Sequence, residues 1–210
     1  MDLFAGWPID FFNQWFREPI QVEKGASVKQ ILDALNEHPL AEDEAQDYFM
    51  PARRYREEPG RFGVYGENQD LWTCFVYEGQ ELLTDPPVYF STCLDLQEDY
   101  GYKPEEIING DHVLASRSFV RFLWSVLGQQ ICIRIEETTL FKSGVTGCFF
   151  DSALPRNETF QNPLENEHAG LACYISPKTL WCLDWAAFLD AESKQRFLET
   201  FQPTNVRVWS

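Results

Sequence analysis

Three histidines, His38, His112 and His168, are the side chains best placed by chemistry to bind a metal or move a proton near neutral pH. No two stand at the spacing of a shared metal site. A cysteine with a distant histidine, for instance Cys173 with His168, can always be nominated as a thiolate–imidazole pair, but nothing marks either as activated. Asp95 with Asp99, and Glu42 with Glu44, lack the loop spacing of a calcium site, so a solvated charged face is the better account. Glu136 and Glu137 read as neighbours in a strand, where they point to opposite faces and suit neither geometry of glycoside hydrolysis. There is no G-x-S-x-G, no phosphate-cradling glycine loop and no dinucleotide fingerprint. The residues therefore predict no catalytic centre, no metal and no cofactor. A hydrolase assembled from dispersed residues stays open as a lesser alternative, and its mark would be a deep polar pocket around a shifted Cys, His or Glu.

Charge narrows the partners. The 210 residues carry 17 Lys+Arg against 33 Asp+Glu, a net charge of −16. Such a chain is repelled by phosphate backbones and anionic lipid, so nucleic acid and membrane surfaces are disfavoured and a basic protein partner is favoured. The distribution sharpens this. Phe62 to Tyr102 holds no Lys or Arg, yet contains Glu67, Asp70, Glu78, Glu81, Asp85, Asp95, Glu98 and Asp99. A second acidic run comprises Glu37, Glu42, Asp43, Glu44 and Asp47. If both runs share one side of the fold, they form a negative surface that speeds encounter with a cationic partner, and Glu42, Asp43, Glu44, Asp47, Asp70, Glu78 and Glu81 are its expected contact residues.

The elements that must hold these residues centre on Arg61 to Tyr89. Leu71 to Tyr77 is rich in β-branched and aromatic residues and apolar on both faces, which predicts a central strand covered on both sides. Phe62 to Tyr65 pairs with it through a turn at Glu67-Asn68-Gln69-Asp70, and Asp85-Pro86-Pro87 sets up a further extended segment at Val88 to Phe90. Glu67-Asn68-Gln69 has two readings: a polar epitope, or a hairpin in which Asn takes the left-handed conformation and bonds local backbone. The second is favoured.

Taken together, Phe62-Gly63-Val64-Tyr65, Glu67-Asn68-Gln69, the strand containing Trp72, Asp85-Pro86-Pro87-Val88-Tyr89 and a helix over Ser116 to Leu127 resemble the SUKH superfamily. That superfamily includes bacterial immunity proteins that neutralise polymorphic toxins, and a yeast regulator of cell-wall assembly. The resemblance covers roughly residues 28–130 and does not extend to the last eighty or so. It implies an α+β fold, with a mixed, mainly antiparallel central sheet packed with several helices, and protein binding without catalysis. The implied partner is a cationic toxin domain; the alternative is a stand-alone intracellular scaffold or regulator with no toxin involved.

Elsewhere the patterning is local. Trp7 to Phe16 reads as a helix with a broad aromatic face directed at the protein body, because its polar side, Asp10, Asn13 and Gln14, lacks the basic character of a membrane-surface helix. Ser27 with Gln30 is a capping box that opens an amphipathic helix. Ala41 to Tyr48 suggests a short acidic helix, and Thr92 to Asn109 a partly helical excursion. Ile131 to Ile135 and Val145 to Phe150 read as strands, Leu154 to Glu167 as a loop, and Leu171 to Ile175 and Thr179 to Trp185 as further strand-like segments. Ala191 to Phe201 reads as a helix after Asp190, and Val206 to Trp209 as an edge strand. Residues 131–210 are expected to extend the same sheet and core, giving a single domain over 1–210. Cys74, Cys93, Cys132, Cys148, Cys173 and Cys182 form no C-x-x-C pair and sit mostly among apolar residues, which predicts reduced, buried thiols. With no basic leader before the first apolar residues and no run long enough to cross a bilayer, a cytoplasmic location is expected.

Overall fold

Pro8 lacks the N–H that a first helical turn leaves unpaired, and it opens α1 (Pro8–Phe12). The computed structural model describes residues 3–41, 47–54, 58–137, 139–151, 160–164 and 171–209. In it α1 stops short of the predicted Phe16, because Phe16 is drawn into an antiparallel bridge with Phe141. Phe12, Trp15 and Phe16 are all fully buried.

The fold is α+β, with two antiparallel sheets and four α-helices among the described residues. The chain divides into two compact units, residues 20–122 and residues 1–19 with 123–210, and the boundary falls within one helix.

In the unit of residues 20–122, the capping box forms as read. Ser27 accepts from the Gln30 N–H, the Gln30 side chain accepts from the Ser27 N–H, and α2 (Val28–Glu37) buries Val28, Ile31, Leu32 and Leu35. The sheet follows with β1 (Asp47–Phe49), β2 (Arg61–Glu67), β3 (Trp72–Tyr77), β4 (Val88–Thr92), β5 (Ile107–Ile108) and β6 (His112–Ser116), in the order β1-β2-β3-β4-β6-β5. β3 is interior to the sheet, as its two apolar faces predicted. One face, with Trp72, Cys74 and Val76, is buried, whereas on the other Phe75 is buried and Thr73 and Tyr77 are half-buried. Asp47 and Tyr48, read as the end of an acidic helix, instead start β1 opposite Glu67 and Gly66: ladder pairing outweighs a short helix with no apolar stripe.

α3 (Phe119–Ile133) is longer than the sequence suggests. Ile131, Ile133 and Ile135 alternate as a strand would, but Leu127, Ile131 and Ile135 also repeat every fourth residue, and the helix already running through Leu127 continues to Ile133, with a turn after it.

The unit that contains residues 123–210 has a sheet of its own, which corrects the expectation that this half extends the first one. It comprises β7 (Thr146–Phe149), β8 (Tyr174–Ser176), β9 (Thr179–Cys182), β10 (Trp185–Phe188) and β11 (Arg207–Trp209), in the order β11-β7-β10-β9-β8. The reason is local closure. Short turns fold β8 on β9 and β9 on β10, so these strands find partners among their neighbours. α4 (Ala191–Phe201) lays Phe197 on Cys148, Phe150, Trp181, Ala186 and Phe188. Most of the predicted loop over 154–167 lies outside the described residues. Among the described residues no helix is long and apolar enough to cross a membrane.

Asp190 caps α4 by accepting from the Ser193 N–H at 2.8 Å and from Lys178 Nζ at 2.9 Å. The Ser193 bond first, and the lysine second, lower its pKa to about 2. Because the folded value lies below the unfolded one, this stabilisation is complete above roughly pH 4 and is lost as pH falls towards 2. Asn caps a helix as well as Asp does, so Asp190→Asn removes only the charge. The Tm difference between wild type and Asp190→Asn is expected to be steady above about pH 5, to shrink below about pH 4 and to vanish near pH 2, as read by thermal unfolding; it is modest, since the pair is exposed.

Candidate functional site

The register of the first sheet assembles a polar network that no linear motif announces. Arg61 pairs with Tyr77, Phe75 with Tyr89, and Ser91 with His112, which puts all six on the face opposite Trp72, Cys74 and Val76. The Arg61 guanidinium lies 4.4 Å from the centre of the Phe75 ring. It donates to Glu58 at 2.6 Å, to Ser91 Oγ at 3.2 Å and to Asp111 at 2.5 Å. The other Asp111 oxygen meets His112 Nδ1 at 2.5 Å, and His112 Nε2 meets the Tyr77 hydroxyl at 2.8 Å. His112 is only 1% exposed and is walled by the rings of Phe75, Tyr77 and Tyr89. Burial pushes the Asp111 carboxyl up, but the bonds from His112 and Arg61 outweigh it and hold it below the ordinary Asp value. Burial, with Tyr77 as neighbour, pushes the Tyr89 phenol up.

A carboxylate–imidazole–phenol chain is wiring for proton transfer. Here both ring nitrogens of His112 are engaged. The adjoining cavity, about 170 Å³, opens over Met50, Arg54, Arg61 and Phe75, and neither Tyr77 nor His112 lines it. A substrate in that cavity therefore meets the guanidinium end of the chain and not the phenol. The arrangement ties four strands together across their outer face.

The residues singled out in the sequence separate into distinct roles. Glu67 is buried, and its carboxylate accepts from the Gln69 and Leu71 N–H groups at 3.1 and 3.3 Å. The hairpin is thus fixed by Glu67, and the left-handed residue is Asp70 (φ 57°) in place of the expected Asn68. Asn68 and Gln69 are exposed, while Trp72 is buried. Asp85 accepts from Ser118 Oγ at 2.7 Å and from the Val120 N–H at 2.8 Å, and Ser118 Oγ accepts from the Arg121 N–H at 3.1 Å. Two side chains far apart in sequence therefore cap α3 together, with Pro86 and Pro87 leading from that cap into β4.

Among the expected contact acids, Glu42, Asp43 and Glu44 lie outside the described residues. Asp47 is 9% exposed and Glu81 2% exposed, with Glu81 accepting from the Gly79 N–H, so neither adds to a surface as expected. Asp70 is exposed but is held by Arg54 at 2.7 Å, which supplies the cation missing from its own segment. Glu78 is exposed. It follows Tyr77 at one end of β3, whereas Asp70 precedes Trp72 at the other, roughly 20 Å away at strand rise. The structure does not bring them into one patch.

It does gather acids at the Asp70 end of that sheet. Thr92 Oγ1 donates to the Leu71 carbonyl at 2.7 Å, and the Cys93 N–H donates to the same carbonyl at 2.9 Å, which ties the segment after β4 to the β2–β3 turn. Asp95 accepts from the Gln97 and Glu98 N–H groups at 2.8 and 2.9 Å, and Asp99 accepts from the Asp95 N–H at 2.9 Å. The Glu98 and Gln97 bonds hold the Asp95 carboxyl below its ordinary value. Cys93, Leu94, Asp95, Glu98 and Asp99 are all exposed. The lack of basic residues was legible here; the exposed Leu94 and the hydrogen bonds that fix the loop were not.

Compared with protein-family models, curated proteins and solved structures, the chain matches none of them. No group of His, Cys, Asp and Glu among the described residues could hold a metal ion.

Proposed function

We propose that this chain is a non-catalytic binding protein that masks a basic protein partner in the cytoplasm, in the manner of the SUKH immunity proteins its motifs resemble, with a cationic toxin domain as that partner. One observation carries the reading. Leu94, 41% exposed, stands on a loop that its own carboxylates hold in place, with Asp95, Glu98 and Asp99 beside it. An apolar anchor rimmed by charge of one sign is the anatomy of a docking surface, and a loop ordered before binding lowers the entropy cost of association. Most of the excess negative charge of the chain lies in the same unit, which adds long-range attraction for a cation. The Tyr77–His112–Asp111 chain, whose phenol end does not line the adjoining cavity, favours binding over turnover.

Capture of a basic protein from the producing strain, or binding to a toxin encoded beside this gene, supports the proposal; a partner that is neutral or acidic overturns it. The two halves of the surface separate kinetically. Glu98→Lys is expected to lower the association rate about three- to tenfold at low salt, a difference that fades above roughly 0.5 M salt. Leu94→Ser is expected to leave association unchanged and to speed dissociation about tenfold, as measured by surface plasmon resonance.

A further inference from the structure

A second cavity belongs to neither the polar network nor the acidic loop. It lies in the unit containing residues 123–210, beneath α4 and beside the β8–β9 turn, and measures about 430 Å³. Preformed small-molecule sites fall in the range of about 300–1,000 Å³, with mostly apolar walls and a few convergent polar groups. This cavity has that make-up. Phe160, Phe197 and Phe201 form its apolar side. Their centroids stand 4.9 Å apart for Phe197 and Phe201, 5.6 Å for Phe160 and Phe201, and 6.3 Å for Phe160 and Phe197. The rings are fixed from behind: Phe197 is 3% exposed and packs on Phe188 at 5.2 Å, and Trp181 contacts all three. Phe160 and Phe201 are only half-buried, so their faces open on the cavity.

The charged residues lining it are Lys178 and Arg196, both cations. In a chain of net charge −16 that local sign is selective. Lys178 is positioned by Asp190 at 2.9 Å and Arg196 by Glu192 at 2.8 Å, and neither carboxylate lines the cavity. Each cation therefore keeps N–H donors for an incoming oxyanion, and a guanidinium can grip a carboxylate through two of them.

We propose that this cavity is a binding site for a small anionic amphipath, a planar or aliphatic body bearing one carboxylate, with the body among Phe160, Phe197 and Phe201 and the carboxylate between Lys178 and Arg196. The site is independent of protein masking by the first sheet. It is tested on the full chain by calorimetric titration with 1-naphthoate and with the neutral 1-naphthalenemethanol as probes. Saturable one-to-one binding of naphthoate is expected, at least tenfold tighter than that of the alcohol. Replacing Lys178→Met and Arg196→Met together should remove that preference while leaving the alcohol unaffected, and Thr200→Trp, which fills the mouth, should abolish both. Lys178, Arg196 and Thr200 are all exposed, so the variants leave the core closed; a Tm decrease no larger than the modest loss of the exposed Lys178–Asp190 and Arg196–Glu192 pairs verifies this. Equal affinity for acid and alcohol, naphthoate binding that survives Thr200→Trp, or no saturable binding at all would each overturn the proposal.

Discussion

Replacing Trp124 with Ala is expected to cost about 3–5 kcal/mol, as read by urea denaturation. Trp124 is 1% exposed, and three rings meet it from the start of the chain, Phe4 at 5.4 Å, Phe11 at 4.8 Å and Phe12 at 5.3 Å. The loss combines the transfer of a large apolar side chain with the void left among rings that belong to a different segment and are slow to close around it. Trp124→Phe retains most of the buried area and should cost well under half as much. A loss below about 1 kcal/mol for the alanine variant would mean that residues 3–12 do not contribute to the core of that unit.

Gly147→Val should be comparably severe, although strand propensity argues the other way. Valine suits a strand and glycine weakens one, a preference worth at most about 1 kcal/mol. Against it, a Cβ at Gly147 would stand 2.3 Å from Cγ1, 2.7 Å from Cγ2 and 3.0 Å from Cβ of Ile135. Ile135 is 2% exposed and branched at Cβ, so it has no flexible end to swing away, and β7 is held between β11 and β10. The clash wins, with a net loss of about 3 kcal/mol or more. Ile135→Ala should recover part of it, and a double-mutant cycle should give a coupling of about 1–2 kcal/mol; additive losses would show that the two sites are not in contact.

What was legible in the sequence was what depends on near neighbours. Ser27 with Gln30, and Asp190 before Ala191, specify helix starts through bonds spanning three residues, and both formed. The apolar run through Trp72 to Tyr77 announced an interior strand because burial on both faces leaves a composition. What was missed depends on register. Tyr77, Asp111 and His112 carry no joint signature until β3, β4 and β6 align, and Arg61 joins them from β2. The Asp85 cap on Val120 is equally invisible, since it joins residues that only the folded chain brings near. Ile131 to Ile135 failed for a different reason: five residues fit both periods, and only the preceding turns of α3 decide between them. The assignment of the last strands to the first sheet failed because apolar content measures burial and is silent about which edge a strand joins.

The cysteines leave a practical opening. Cys74, Cys132, Cys148, Cys173 and Cys182 are buried, and burial raises the thiols of Cys74 and Cys132 and pushes Cys148 up to about 12, which keeps them unreactive towards alkylating dyes. Cys93 is exposed and precedes Leu94 on the acidic loop. The native chain thus comes with a single accessible attachment point for a fluorophore, set on the loop proposed to dock a partner, so that binding there would quench or brighten it.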